Sequence, residues 1–232
     1  MPESKIKTAI YLASVSCLAD ENLFAAAYRK ATGPRREKAD KLRMEKDKRL
    51  CLGAELLLRY ALGKSGAGEE PLEFSYGADG KPFLSDGRAQ FSISHSGTYV
   101  LCAVGERELG CDIEQIQAVD LQLAKRFFTE GEYASLCEIQ NPAGREDAFY
   151  RLWTLKESYL KAIGTGIKQS LDSFEIVRGE NITLLPAEEN KTWHFTEYKN
   201  IPGYACALCA KEEIVPLITA ELSEILKGEV RI

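Results

Sequence analysis

The sequence predicts an α+β fold in two similar halves, each an antiparallel sheet packed with helices. Three observations carry this reading. Helical runs precede groups of short alternating runs twice along the chain, which argues against a doubly wound sheet. The segments Arg178-Gly179-Glu180-Asn181 and Asn200-Ile201-Pro202-Gly203 supply turn chemistry between alternating runs, as hairpins require. The length of 232 residues is long for one average domain and short for two large ones, with enough chain for a substantial core.

Residues 6–17 alternate as a first strand, 21–30 and 35–62 read as helices, and 72–76, 91–94 and 99–104 as strands. A hinge is expected at Gly105 to Glu108, dividing an N-terminal half, 1–106, from a C-terminal half, 107–232. The order then recurs: a strand at 108–115, helices at 121–128, 130–138 and 145–162, and strands at 173–178, 182–185, 192–198 and 203–210. Leu222 to Leu226 reads as a short closing helix. No sequence repeat is visible between the halves, so on the residues alone a duplication rests on element order.

Two segments carry chemistry. In Leu109-Gly110-Cys111-Asp112-Ile113-Glu114, residues two apart share a face, so Asp112 and Glu114 point together while Leu109, Cys111 and Ile113 point into a core. In the helix that contains Trp153, Glu157 and Lys161, residues four apart are neighbours and these three form a stripe. Leu152, Leu155, Tyr159 and Ala162 or Ile163 form the adjacent apolar face, and Gly164-Thr165-Gly166 closes the helix. Two readings stand for each segment. Asp112 and Glu114 fit the wet face of an antiparallel strand, and Glu157 with Lys161 fits a surface ion pair. Brought together, three carboxylates and a lysine suit a divalent metal gripping a phosphate.

Composition excludes several classes. A net charge of −5 argues against a general nucleic-acid binder. Lys5 and Lys7 before an apolar run imitate a short signal peptide, but hydroxyl residues and Cys17 break the run and a first strand explains it better. No apolar run approaches the roughly 18 residues of a membrane span. Seven cysteines scattered without framework spacing suit a reducing cytoplasm, and the lone Cys206-Ala207-Leu208-Cys209 reads as core. Locally, residues 29–49 hold ten Lys or Arg against four acids, either a solvated helix face or an anion site. Of the two histidines, His194 reads as structural and His95 as a loop residue beside Gly97.

The order and spacing of the motifs resemble 4′-phosphopantetheinyl transferases. Gly110-Cys111-Asp112-Ile113-Glu114 is similar to the family's G-x-D-x-E. Trp153 to Lys161 is similar to W-x-x-K-E-x-x-x-K, with Ser158 where many members carry Ala. Gly80-Lys81-Pro82 and Phe91-Ser92-Ile93-Ser94-His95-Ser96 resemble the G-K-P and F-N-x-S-H-S segments, Ser92 replacing Asn. The resemblance spans about residues 5–210. The length matches the longer type, which resembles two small synthase units fused with pseudo-twofold symmetry and works as a monomer.

This resemblance implies transfer of the 4′-phosphopantetheine arm of coenzyme A to a serine of an apo acyl or peptidyl carrier protein, Mg²⁺-dependent, releasing adenosine 3′,5′-bisphosphate. It places such an enzyme in secondary-metabolite biosynthesis, while the cysteine pattern points to the cytoplasm and charge and hydropathy argue against nucleic-acid or membrane partners. Asp112, Glu114 and Glu157 are the implied metal ligands. Glu157, directly or through a water on the metal, is the implied general base, with Asp112 and Lys161 completing the catalytic set and Lys161 on the leaving phosphate. Arg35, Lys38, Arg49, Lys81, Pro82, Ser94, His95, Lys156 and Lys161 are implied coenzyme A contacts, Arg35, Lys38 and especially Arg49 on the 3′-phosphate. Lys156 is alternatively a carrier contact. The carrier is expected near a cleft between halves, with Phe127, Phe128 and Tyr133 in the docking region; core packing of the rings is the competing reading. Two other functions stand beside this one: a non-catalytic coenzyme A or carrier-binding module of the same fold, and another Mg²⁺-dependent phosphate-ester hydrolase.

Overall fold

The computed structural model describes residues 6–68, 72–179, 181–186, 193–212 and 215–228. In chain order the elements are β1 (Ala9–Ser14), a 3₁₀ turn (Ser16–Ala19), α1 (Glu21–Lys30), α2 (Gly33–Lys41), α3 (Glu45–Ser65), β2 (Phe74–Tyr76), β3 (Pro82–Leu84), β4 (Gln90–Ser96) and β5 (Tyr99–Gly105). They continue with β6 (Leu109–Gln115), α4 (Leu121–Phe127), α5 (Glu130–Glu138), α6 (Pro142–Ile163), two 3₁₀ turns (Gly166–Lys168 and Leu171–Ser173), β7 (Glu175–Arg178), β8 (Ile182–Leu185), β9 (His194–Glu197), β10 (Tyr204–Ala210), β11 (Leu217–Thr219) and α7 (Leu222–Lys227).

The chain divides into two compact units. The first takes the described residues of Met1–Ser75, Phe83–Glu106 and Val215–Ile232; the second takes those of Tyr76–Pro82 and Arg107–Ile214. Each has its own hydrophobic core.

In the first unit the sheet runs β11-β1-β5-β4. β5 pairs antiparallel with β1 and with β4, while β11 runs parallel to β1. The last segment was expected with the C-terminal half, yet it returns to the first. Leu217–Thr219 is too short to show alternation, and it becomes a strand only through its register on Ile10–Leu12. The helix expected over 35–62 is broken: Leu42 leaves α2 extended, at ψ 136°, and α3 restarts at Glu45. No Gly or Pro marks that break in the sequence. α3 packs on β1, β4 and β5 through Leu52, Leu57, Leu58 and Leu62, all buried.

In the second unit β6-β10-β9 is antiparallel throughout, and β7–β8 forms a separate hairpin. Both expected turns join paired strands, Glu180 of the first and residue 192 of an expected strand lying outside the described residues. α6 starts where Asn141 caps Ala143 and Pro142 presets the first turn, and it ends at Gly164, whose φ of 80° is costly for any side chain. Its Leu152, Leu155, Tyr159 and Ala162 are buried as the periodicity predicts.

The side of the sheet under α6 is built from small residues. Gly110 of β6 pairs with Cys209 of β10, Asp112 with Ala207, and Glu114 with Ala205. A Cβ on Gly110 would sit 2.1 Å from the Ser158 carbonyl oxygen and 2.3 Å from the Ala162 nitrogen. Helix backbone therefore rests on strand backbone, and only glycine fits between them.

Candidate active site

That close approach fixes the relation of Asp112 to the helix. Asp112 is 2 % exposed, and its Oδ1 accepts a hydrogen bond from the Lys161 ammonium at 2.6 Å. Burial works against the charge on Lys161, but Asp112 and then Glu157 outweigh it and hold its pKa above the ordinary lysine value. Glu157, one turn before Lys161, is pushed the other way. Its burial, then the charges of Asp112 and Glu114, raise its proton affinity, while Lys161 partly offsets them. The four groups read from the two motifs are thus one electrostatic cluster between β6 and α6.

Among the described residues no three His, Cys, Asp or Glu side chains converge as a ready metal cage. The donor chemistry nevertheless fits a hard dication. Asp112, Glu114 and Glu157 offer only carboxylate oxygens, and their mutual repulsion on Glu157 is the charge excess that such an ion relieves.

Other expected contacts sit differently. Lys156 is 0 % exposed and spent inside the second core, which runs against a phosphate or carrier contact. Its ammonium pairs with Glu132 at 2.7 Å, donates to the carbonyls of Leu171 and Phe174, and lies 4.3 Å from the centre of the Phe174 ring. Burial is the largest influence on it and holds its pKa below the ordinary value despite Glu132. The reason is helical geometry: Lys156 is one position from Glu157, so it points about 100° away around the helix, into the core. Lys81 lies in the second unit and donates to the carbonyls of Leu109 and Ala162, at 3.2 and 3.1 Å, strapping the start of β6 to the last turn of α6. Pro82 beside it is exposed at the start of β3.

The remaining expected contacts belong to the first unit. Arg35 is paired with buried Glu55 at 3.2 Å, Lys38 is exposed on α2, and Arg49 is half-buried on α3. His95 stands within β4 opposite Val100, not in a loop; the turn is only Gly97-Thr98, with Gly97 at φ 58°. Ser94, opposite Leu101, is buried, and His95 is exposed. Phe127, Phe128 and Tyr133 all join the second core, with Phe127 edge-on to Trp153 at 5.7 Å and Phe128 5.1 Å from Phe149. Phe128 is buried there, while Phe127 and Tyr133 remain half-buried at its edge.

Sequence reasoning passed over three groups. Glu132 receives the Thr129 and Ile176 amides as well as Lys156, and Thr-x-x-Glu before a helix is a capping-box pattern that was readable. Tyr150 lies near enough to Glu114 and Glu146 for both charges, after burial, to raise its phenol pKa. Glu55, inside an otherwise apolar helical run, gave only the weak signal of a lone acid.

The 4′-phosphopantetheinyl transferase superfamily matches residues 108–209, which contain both motifs of the cluster. The chain is 32 % identical over 186 residues to 4′-phosphopantetheinyl transferase Sfp of Bacillus subtilis, covering 78 % of this chain and 83 % of that one. It is 36 % identical over 165 residues to 4′-phosphopantetheinyl transferase gsp of Aneurinibacillus migulanus, covering 70 % and 68 %. To psf-1 of Bacillus pumilus, of the same description, it is 33 % identical over 196 residues, covering 81 % and 83 %. Likeness at this level runs through both units and not only through the two motifs, so the chain belongs to the 4′-phosphopantetheinyl transferase family.

Proposed function

We propose that this chain transfers the 4′-phosphopantetheine arm of coenzyme A to a serine of an apo carrier protein. The observation that carries the reading is the Asp112–Lys161 pair beside Glu157, in a member of this family. The serine oxygen attacks the β-phosphorus of coenzyme A while the bond from that phosphorus to the bridging oxygen breaks. Adenosine 3′,5′-bisphosphate leaves. The serine proton goes to Glu157, the carboxylate one turn before Lys161 on α6. Lys161, kept protonated by Asp112, offers positive charge to the leaving phosphate. Asp112, Glu114 and Glu157 would hold Mg²⁺, which when bound supplies charge neutralisation and orientation for the pyrophosphate. Arg35, Lys38 and Arg49 would bind the 3′-phosphate, with Ser94 and His95 on the other phosphates of coenzyme A.

The test is intact-mass measurement of apo acyl and peptidyl carriers incubated with coenzyme A and Mg²⁺. A phosphopantetheine-sized gain is expected, lost with chelator, and Glu157→Gln should reduce the rate by about 10³-fold while coenzyme A still binds. Near-normal turnover of that variant would reject the assignment; binding without transfer by the unaltered protein would make it a binding module. Arg49→Ala should raise KM for coenzyme A about tenfold, with much less effect on the 3′-dephospho form. Equal losses with both would move the 3′-phosphate contact elsewhere.

A further inference from the structure

We infer that Glu55 is a positioning residue that presets the basic helix α2 for the 3′-phosphate of coenzyme A; the inference rests on the coenzyme A reading above. α2 has nine residues and buries only Ala39, so apolar packing does not fix it in place. Thr32, at its N-cap, makes no side-chain cap. Instead its N–H and hydroxyl both donate to the Glu55 carboxylate, at 2.7 and 2.8 Å.

Arg35, in the first turn, donates Nε to the same carboxylate at 3.2 Å, and Arg59, one turn along α3, donates at 3.3 Å. Glu55 itself is 1 % exposed. A carboxylate so deep in a leucine-rich helix is tolerated because donors meet both its oxygens.

Two consequences follow for an anion. Two arginines around one carboxylate leave the group net positive. With Nε engaged, the plane of the Arg35 guanidinium is set, while its side chain keeps 19 % of its surface exposed. Lys38, exposed three residues along the same helix, adds a second cation. A phosphate then meets cations already ordered, and the ordering cost is not charged to binding. Glu55 repels the anion directly, so its benefit comes only through the residues it holds.

The experiment is calorimetric binding of coenzyme A and of 3′-dephospho-coenzyme A to the full chain and four variants. The unaltered protein should prefer coenzyme A. Arg35→Ala and Lys38→Ala should each reduce that preference. Glu55→Gln should reduce it roughly three- to tenfold, the dephospho form binding within about twofold of the unaltered protein. Thr32→Val should move in the same direction by less, and it decides the question alone if Glu55→Gln does not fold. A Glu55→Gln protein with a lowered melting temperature and an intact preference would show a merely structural residue and overturn the inference. An intact preference in both Arg35→Ala and Lys38→Ala would overturn it by removing the 3′-phosphate from α2, which is a failure of the underlying reading and distinguishable as such.

Discussion

The two units lay a long helix on a sheet in different ways. α3 carries its glycine on the helix: a Cβ on Gly53 would meet Val15 Cγ1 at 2.5 Å and Leu222 Cδ1 at 3.3 Å, both of them side-chain atoms. α6 meets its glycine on the strand, and a Cβ on Gly110 would meet helix main chain, which cannot give. Each helix also buries one charge, with opposite signs. Glu55 of α3 is answered by Thr32, Arg35 and Arg59, and Lys156 of α6 by Glu132 and two carbonyls. The lesson is that the charged cluster of Asp112, Glu157 and Lys161 sits where element spacing is least adjustable. Backbone contact at Gly110 is what brings Asp112, two residues on, within 2.6 Å of Lys161.

The largest effect is expected from Gly110→Ala. It should cost about 4 kcal/mol or more and leave little folded second unit, read by urea unfolding with a probe in each unit. Lys156→Met comes next, at about 3 kcal/mol, because Glu132 loses its buried countercharge while the packing volume is kept. A loss under about 1 kcal/mol there would mean that the pair does not anchor α6. Gly53→Ala should be mildest. Side-chain crowding of about 1–3 kcal/mol is partly offset by the roughly 0.5–1 kcal/mol that alanine gains over glycine within a helix. Equal costs at Gly53 and Gly110 would erase the distinction between side-chain and backbone contact.

Much of the second unit was legible beforehand. The alternation of Leu109, Cys111 and Ile113 against Asp112 and Glu114 placed the carboxylates on one face, and the i,i+4 spacing placed Glu157 with Lys161. Both are local regularities, so the sequence displays them directly. Lys156 was harder. Adjacent to Glu157 in a charged run, it carries no local sign that its face of the helix is buried, since that depends on α5 and on the segment carrying Leu171 and Phe174. His95 was read as a loop residue because Ser-His-Ser-Gly is turn-like in composition; its pairing with Val100 across the sheet extends the strand past it.

By itself, then, the chain determined the α+β class, the hairpins after Arg178 and Asn200, and which four side chains of β6 and α6 cluster together. Each of these depends on periodicity or turn chemistry within a few residues. Tertiary structure alone decided that 217–219 is a strand in the first unit, that helix 35–62 breaks at Leu42, and that Glu55 and Lys156 are interior charges. Those outcomes rest on partners far along the chain. A three-residue strand exists only when another edge pairs with it, and a buried charge is tolerated only where distant donors or acceptors meet it.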